Sequence, residues 1–85
     1  MKHESHPEII ARLKRAEGHL KSLIVMMQDG RGCLDLAQQM HAVEKAIGSA
    51  KRELIHDHIE HCFEDGPDGD AKSTLQEIKQ IAKYL

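Results

Sequence analysis

The stretch Asp29-Gly30-Arg31-Gly32 separates two apolar repeats of the same kind. Two glycines within four residues are typical of a helix end, because glycine adopts the left-handed backbone conformation found there. We therefore place a turn at this stretch and predict one helix before it and another after it.

Before the turn, apolar residues recur at alternating steps of four and three. They are Ile9, Leu13, Ala16, Leu20, Leu23 and Met27, with Ile10 and Ile24 widening the same face. This spacing is typical of an amphipathic helix. Residues 1–6 read as a flexible polar tail, and Ser5 and Glu8 resemble a capping box at the helix start.

After the turn, the same steps predict a second helix from about Cys33 to Glu64. Its seam residues are Leu36, Met40, Val43, Ile47, Ala50 and Leu54. Two matching seams joined by a short turn predict a long antiparallel helical hairpin. Five apolar residues off the seam could face another subunit, namely Leu34, Ala37, Ile55, Ile59 and Phe63.

The segment 65–70 contains two glycines and a proline and should end the second helix. A shorter third helix should follow to the C-terminus, with Leu75, Ile78, Ala82 and Leu85 on one side. The predicted fold is therefore all-α, a three-helix protomer in a single domain over residues 1–85.

Composition indicates how such a chain is stabilised and where it acts. It has 85 residues with one Phe, one Tyr and no Trp, so its core is small and oligomerisation is expected. No apolar run is long enough for a membrane span and the N-terminus is polar, which predicts a cytoplasmic protein without a membrane partner. In that compartment the two cysteines are expected to be free thiols or metal ligands.

Residues 53–62, E-L-I-H-D-H-I-E-H-C, are rich in soft-metal ligands. His58 and Cys62 are four residues apart and share one helix face. Cys33 begins the same helix, where the helix dipole favours a thiolate. A helix of 25 residues spans roughly 37 Å, so one protomer cannot bring Cys33 to His58. Two antiparallel copies could, which predicts a metal site between subunits.

Two thiolates and one imidazole suit trigonal Cu(I), whereas Zn(II) or Ni(II) would require a fourth ligand. His61 could supply it or could support the site, and His3 in the tail could reach a neighbouring site. The structural alternative is that both cysteines simply pack as small apolar residues. Spacing alone favours neither interpretation.

Basic residues cluster on both long helices. They are Arg12, Lys14 and Arg15 on the first helix and Lys45, Lys51 and Arg52 on the second. Such a cluster can bind DNA phosphates. The alternative is a solvated face paired with the glutamates at positions 8, 17, 44 and 53. The chain shows no helix-turn-helix. It also has no H-E-x-x-H motif and no phosphate-binding loop, so we predict that it is not an enzyme.

Several motifs together resemble the CsoR/RcnR/FrmR family of bacterial transcriptional repressors. They are A-R-L-K-R-A-E-G-H-L (11–20), the cysteine after a glycine turn (33), L-A-Q-Q-M-H-A-V (36–43) and D-H-I-E-H-C (57–62). The resemblance extends from about Ile9 to Cys62 and more loosely through the third helix.

The resemblance implies a protomer that dimerises and then forms a dimer of dimers, a homotetramer. It implies operator-DNA binding through basic residues of the first two helices, which correspond to Arg12, Arg15 and Arg52, with Lys14 and Lys51 beside them. It also implies release of DNA when an effector binds between subunits. The copper-sensing members use a Cys–His–Cys set that corresponds to Cys33, His58 and Cys62, supported by a third-helix acid, here Glu77.

Other effectors remain open within the resemblance. Nickel and cobalt sensors add an N-terminal histidine, a part that His3 could play. Formaldehyde sensors use an N-terminal amine or proline with the first cysteine. We expect Cu(I), with Ni(II), Co(II) or Zn(II) as the alternatives. From other classes, a metal-buffering protein that never binds DNA and a structural helical oligomer remain as alternatives.

Overall fold

The computed structural model describes residues 6–64 and 71–85, with the side chains of 6–60 and 72–85. These residues form three helices and no strand: α1 (His6–Gln28), α2 (Cys33–Glu64) and α3 (Ala71–Ala82). The all-α, three-helix prediction is confirmed. Helix α1 already includes His6, which the sequence assigned to the tail. Ser5 of the predicted cap, the side chain of Phe63 and the 65–70 breaker lie outside what the structure describes.

Glycine chemistry ends α1 where the sequence predicted. Gly30 has a φ of 76°, the left-handed conformation that favours glycine. The amide of Gly30 donates to the carbonyl of Met27 at 3.2 Å, and the amide of Arg31 donates to the carbonyl of Met26 at 3.1 Å. These two bonds form a Schellman motif, which satisfies carbonyls that the helix end would otherwise leave without partners.

Helix α2 begins directly after this turn. The carbonyl of Gly32 accepts the first helical hydrogen bond, from the amide of Leu36 at 3.0 Å. Asp35 lies in the first turn, where its negative charge favours the helix dipole. Its carboxylate also pairs with Arg31 at 3.1 Å. Cys33 is therefore the first helical residue of α2.

Helices α1 and α2 pack as an antiparallel hairpin. Three cross-helix pairs run in opposite directions along the two helices: His6 with Asp57, Arg12 with Glu53, and His19 with Gln39. The described chain measures 56 × 24 × 14 Å. Its thin dimension is close to the diameter of about one helix with its side chains, so the hairpin is a single layer.

Only part of each apolar seam is buried inside the protomer. The buried positions are Ile9, Ala16 and Leu23 on α1, and Val43 and Ala50 on α2. Within each helix they lie seven residues apart, which is about two turns. Ile55 is also buried, so it belongs to the protomer core and does not face a second subunit as its position off the seam suggested.

The other seam positions form a surface that we call the apolar stripe. It consists of Leu13, Leu20 and Met27 on α1 and Met40, Ile47 and Leu54 on α2, flanked by Ile10 and Ile24, and each of these is about half exposed. On both helices the stripe follows the core positions by four residues. Because the helices are antiparallel, these positions lie on the same side of the hairpin.

Helix α3 is short and packs mainly on α2. Ile78 is half-buried and Leu75 is exposed. The predicted extension to the C-terminus is replaced by a tighter turn, in which the amide of Tyr84 donates to the carbonyl of Ile81 at 3.0 Å. A side-chain contact between Glu77 and His58 joins α3 to α2.

Candidate metal centre and nucleic-acid interface

His58 is held in place by Glu77. Its Nε2 lies 2.8 Å from Oε1 of Glu77, and the side chain of His58 is 28% exposed. An ionised carboxylate can only accept, so Nε2 carries the proton and donates. A metal would then be bound through Nδ1. A histidine ligand that donates its other ring N–H to a carboxylate is the usual arrangement at protein metal sites.

Cys33 is an exposed free cysteine at the N-terminus of α2. It precedes His58 by 25 residues on one continuous helix, a distance of roughly 37 Å. The same separation is close to seven full turns, so the two residues lie on the same side of α2. Ile47 of the apolar stripe lies between them on that side.

The remaining predicted ligands fall partly or wholly outside what the structure describes. The backbone of Cys62 belongs to α2, one turn after His58, but its side chain and that of His61 are not among those described. His3 also lies outside the described residues. Within the described part of the chain, no three His, Cys, Asp or Glu side chains are grouped so that they could hold a metal. Cys33 and His58 therefore do not come together within one protomer.

A pair that sequence reasoning missed lies beside His58. Asp57 is only 9% exposed, and its Oδ2 lies 3.8 Å from Nε2 of His6. This contact joins the start of α1 to the segment of α2 that carries the predicted ligands. A cavity of about 230 Å³ opens nearby and is lined by Glu8, Glu53, His56, Asp57 and Glu60. Nothing local in the motif D-H-I-E-H-C distinguishes Asp57 as a residue that contacts α1.

The structure brings two of the predicted DNA-binding residues together. Arg12 and Arg15 line a groove of about 420 Å³ between α1 and α2, with Ala16, His19, Ala46 and Ser49. We call it the α1–α2 groove. It lies on the side of the hairpin opposite the apolar stripe. Apart from Ala16, which is itself a core position, its lining residues come one or four residues before a core position along the chain, whereas most of the stripe residues come four residues after one.

The other three basic residues lie elsewhere. Lys14 lines a separate cavity of about 230 Å³ with Ile10, Leu13 and Glu17. Lys51 and Arg52 are exposed on α2. Lys51 precedes His58 by seven residues and so lies on the same face of α2 as the candidate metal ligand. Of the five predicted residues, only Arg12 and Arg15 line the α1–α2 groove.

Two polar contacts cross the hairpin next to the α1–α2 groove. Nη1 of Arg12 lies 3.0 Å from Oε1 of Glu53, a pairing that the alternative of a glutamate-paired basic face had anticipated for Glu53. Nε2 of His19 lies 2.6 Å from Oε1 of Gln39. His19 thus has a structural contact between the two helices.

Comparison with known proteins identifies relatives over nearly the whole chain. The family profile described as "metal-sensitive transcriptional repressor" matches residues 5–85. The copper-sensing transcriptional repressor CsoR of Mycobacterium ulcerans (strain Agy99) is 34% identical over 74 residues, which is 86% of this chain and 63% of that protein. The match thus covers less than two thirds of the mycobacterial relative's length.

Two further relatives match more completely. The copper-sensing transcriptional repressor CsoR of Bacillus subtilis (strain 168) is 32% identical over 87 residues, which is 98% of this chain and 86% of that protein. The solved structure of the nickel-responsive transcriptional regulator InrS superimposes with a TM-score of 0.84 at 28% identity, covering 99% of this chain and 96% of that one.

None of the helices, over the residues that the structure describes, combines the length and the apolar character of a membrane span.

Proposed function

This chain belongs to the family of metal-sensitive transcriptional repressors, which are not enzymes, and from that premise we propose its specific activity. The protein binds operator DNA in the metal-free form and leaves it when Cu(I) binds between subunits. Its metal ligands are Cys33 of one protomer and His58 and Cys62 of another. It acts in the cytoplasm, where its DNA lies, as a homodimer or homotetramer.

The contact between His58 and Glu77 carries this proposal. It leaves Nδ1 of the imidazole as the metal-binding atom and fixes the orientation of the ring. With two thiolates it completes a soft donor set of the kind that Cu(I) prefers. The donor set of Cys33, His58 and Cys62 therefore fits the metal.

The apolar stripe supports a site shared between two chains. It leaves eight large apolar residues half exposed on one side of a single-layer hairpin, more than a monomeric protein usually exposes in one patch. Cys33 and His58 lie at opposite ends of that side of α2. A second copy packed antiparallel on the stripe would bring each Cys33 towards the His58 of its partner.

DNA binding is assigned to the basic residues of α1 and α2. Arg12 and Arg15 supply positive charge at the α1–α2 groove, and Lys14, Lys51 and Arg52 are further basic residues exposed on the two helices. Contacts of this kind bind phosphate and fix register on the duplex without reading base sequence. Their contribution should fall as salt concentration rises.

The two functions are linked through α2. The segment that carries His58 also contacts α1 twice, through Asp57 with His6 and through Glu53 with Arg12. A rearrangement of this segment when the ligands of two chains are drawn together would therefore reach Arg12. Metal and DNA must weaken each other's binding by the same factor. The corresponding coupling free energy is typically about 1–3 kcal/mol in allosteric proteins.

A Ni(II) sensor is the second candidate, because one matching solved structure is of a nickel-responsive regulator. Ni(II) favours a square-planar set with a fourth ligand, a part that His3 or His61 could play. Co(II), Zn(II) and formaldehyde are further candidate effectors of a repressor of this family. These candidates are separated by the identity of the effector that releases DNA.

The test is DNA binding measured anaerobically by fluorescence anisotropy, with a duplex from the promoter of the chain's own gene. We expect Cu(I) to release the wild-type protein and to have no effect on Cys33→Ala or His58→Ala. His41→Ala, an exposed position in the middle of α2, is the matched control and should respond as wild type does. Release by Ni(II) alone would select the second candidate. Metal binding without any DNA binding would favour a metal buffer.

Mixing the two ligand variants tests the shared site directly. A Cys33→Ala chain paired with a His58→Ala chain retains one intact site only if the ligands come from different chains. Partial recovery of tight Cu(I) binding in the mixture supports the inter-subunit arrangement. Mixtures that bind no better than either variant alone, although the chains exchange, would exclude it.

A further inference from the structure

The α1–α2 groove has the chemistry of a phosphate site. Arg12 and Arg15 reach it from α1, and Ser49 adds a hydroxyl from α2. Ala16 and Ala46 are the small residues between them, which keeps the groove open. Its volume of about 420 Å³ has room for on the order of ten water-sized groups, enough for a phosphodiester and its hydration water.

One of the two arginines is already engaged by an anion of the protein itself. Nη1 of Arg12 lies 3.0 Å from Oε1 of Glu53, with the two side chains 34% and 41% exposed. A carboxylate and a phosphate bind a guanidinium in the same way, through charge-assisted hydrogen bonds. A phosphate that enters the groove must therefore compete with Glu53 for Arg12. Arg15 has no ion pair within the described residues.

Resting on the proposed DNA-binding function, we propose that the α1–α2 groove holds a backbone phosphate of DNA and that Glu53 is a built-in competitor for it. Glu53 also lines the cavity that contains Asp57 and Glu60, so it lies between the groove and the ligand-bearing end of α2. The strength with which Glu53 holds Arg12 then sets how much the groove contributes to DNA affinity.

The variant Glu53→Gln tests this competition because it keeps the side-chain volume and removes the charge. An exposed ion pair is worth about 0.2–1 kcal/mol, so we expect the variant to bind DNA about 1.5- to 5-fold more tightly at physiological salt. The plot of log affinity against log salt should steepen by up to about 0.9, because one more phosphate contact is made.

Glu60→Gln is the matched control. Glu60 lies two turns after Glu53 on the same face of α2 and carries the same charge, and the structure gives it no ion pair within the described residues. Glu60→Gln therefore changes the net charge by the same amount as Glu53→Gln but leaves the contact between Arg12 and Glu53 intact. A double-mutant cycle with Arg12→Gln isolates the local effect, since Glu53→Gln should not tighten binding once Arg12 is absent.

The probe is a labelled duplex from the promoter of the chain's own gene, with a shuffled duplex beside it and helix content checked by circular dichroism. Tighter binding by Glu53→Gln that exceeds the effect of Glu60→Gln and disappears in the Arg12→Gln background supports the proposal. Equal effects of both glutamate variants, or an effect that persists without Arg12, would mean a long-range charge effect and would overturn it. Unchanged or weaker binding by a folded Glu53→Gln protein overturns it as well.

The measurements distinguish loss of the phosphate competition at Arg12 from loss of the repressor function. If the wild-type protein binds neither duplex, the repressor proposal fails first. If the wild-type protein binds DNA and responds to metal while the cycle shows no coupling between Arg12 and Glu53, only the phosphate competition is wrong.

Discussion

Replacing Glu77 with alanine tests how the candidate metal centre is built. The carboxylate accepts a hydrogen bond from Nε2 of His58 at 2.8 Å, which orients the ring and makes Nδ1 a better ligand. Loss of such a partner commonly lowers metal affinity 10- to 100-fold. Because Glu77 is 53% exposed, water can partly replace it. We therefore expect the lower end, about 10-fold, or about 1.4 kcal/mol.

The assay is an anaerobic competition between the protein and a coloured Cu(I) chelator. Glu77→Gln keeps an acceptor oxygen without the charge, and its affinity should lie between those of wild type and Glu77→Ala. Gln76→Ala is the matched control, because it removes an exposed neighbouring side chain of α3 and leaves the His58 contact intact. Circular dichroism checks that α3 remains helical in every variant.

A Glu77→Ala protein that stays folded and associated and binds Cu(I) as tightly as Gln76→Ala would contradict the role of Glu77. That outcome would mean that His58 either does not bind the metal or needs no help from α3 in orienting its ring. A loss that is equally large in Gln76→Ala would indicate damage to the packing of α3 and not loss of the hydrogen bond.

Two further predictions concern stability and assembly. Leu23 is 1% exposed in the hairpin core, so Leu23→Ala should lower the free energy of unfolding by about 2–5 kcal/mol and the melting temperature by roughly 8 °C or more. Val25→Ala, at a position 52% exposed on the same helix, should change the melting temperature little. Equal melting temperatures for the two variants would contradict the assigned core. Ile47 is 45% exposed in the middle of the apolar stripe, so Ile47→Glu should reduce the mass measured by light scattering, because association would bury an unpaired charge. Val25→Glu, away from the stripe, should keep the wild-type mass, and an unchanged mass for Ile47→Glu would remove the stripe as the subunit interface.

The helices and the turn between them could be predicted from the sequence because their causes are local. The apolar period of each seam is a property of one helix, and Gly30 relieves backbone strain at its own position. The separation of Cys33 from His58 also follows from local structure, because a continuous helix has a fixed rise per residue. The family resemblance, confirmed over residues 5–85, rests on motifs that lie on this scaffold.

The partners of individual side chains could not be predicted in the same way. The seam positions that become buried depend on how far each helix is rotated toward the other. The apolar period cannot distinguish them, because it is the same for the buried and the exposed positions. The ligand set of Cys33, His58 and Cys62 stays a prediction for the same reason, since it needs the placement of a second chain. The third helix shows the limit clearly, because the 65–70 segment breaks the register that would relate Glu77 to α2.

Sequence alone determined three helices, the turn at Gly30, and the placement of Cys33 and His58 at opposite ends of one face. Only the tertiary structure decided that Asp57 contacts His6 and that Arg12 is held by Glu53, and it placed Glu77, which the family resemblance had implied as a supporting acid, against His58. The physical reason is range: backbone preference and apolar period act over a few residues, whereas a hydrogen bond or an ion pair needs two atoms within about 3–4 Å. Only the packing of helices distant in sequence sets such a distance.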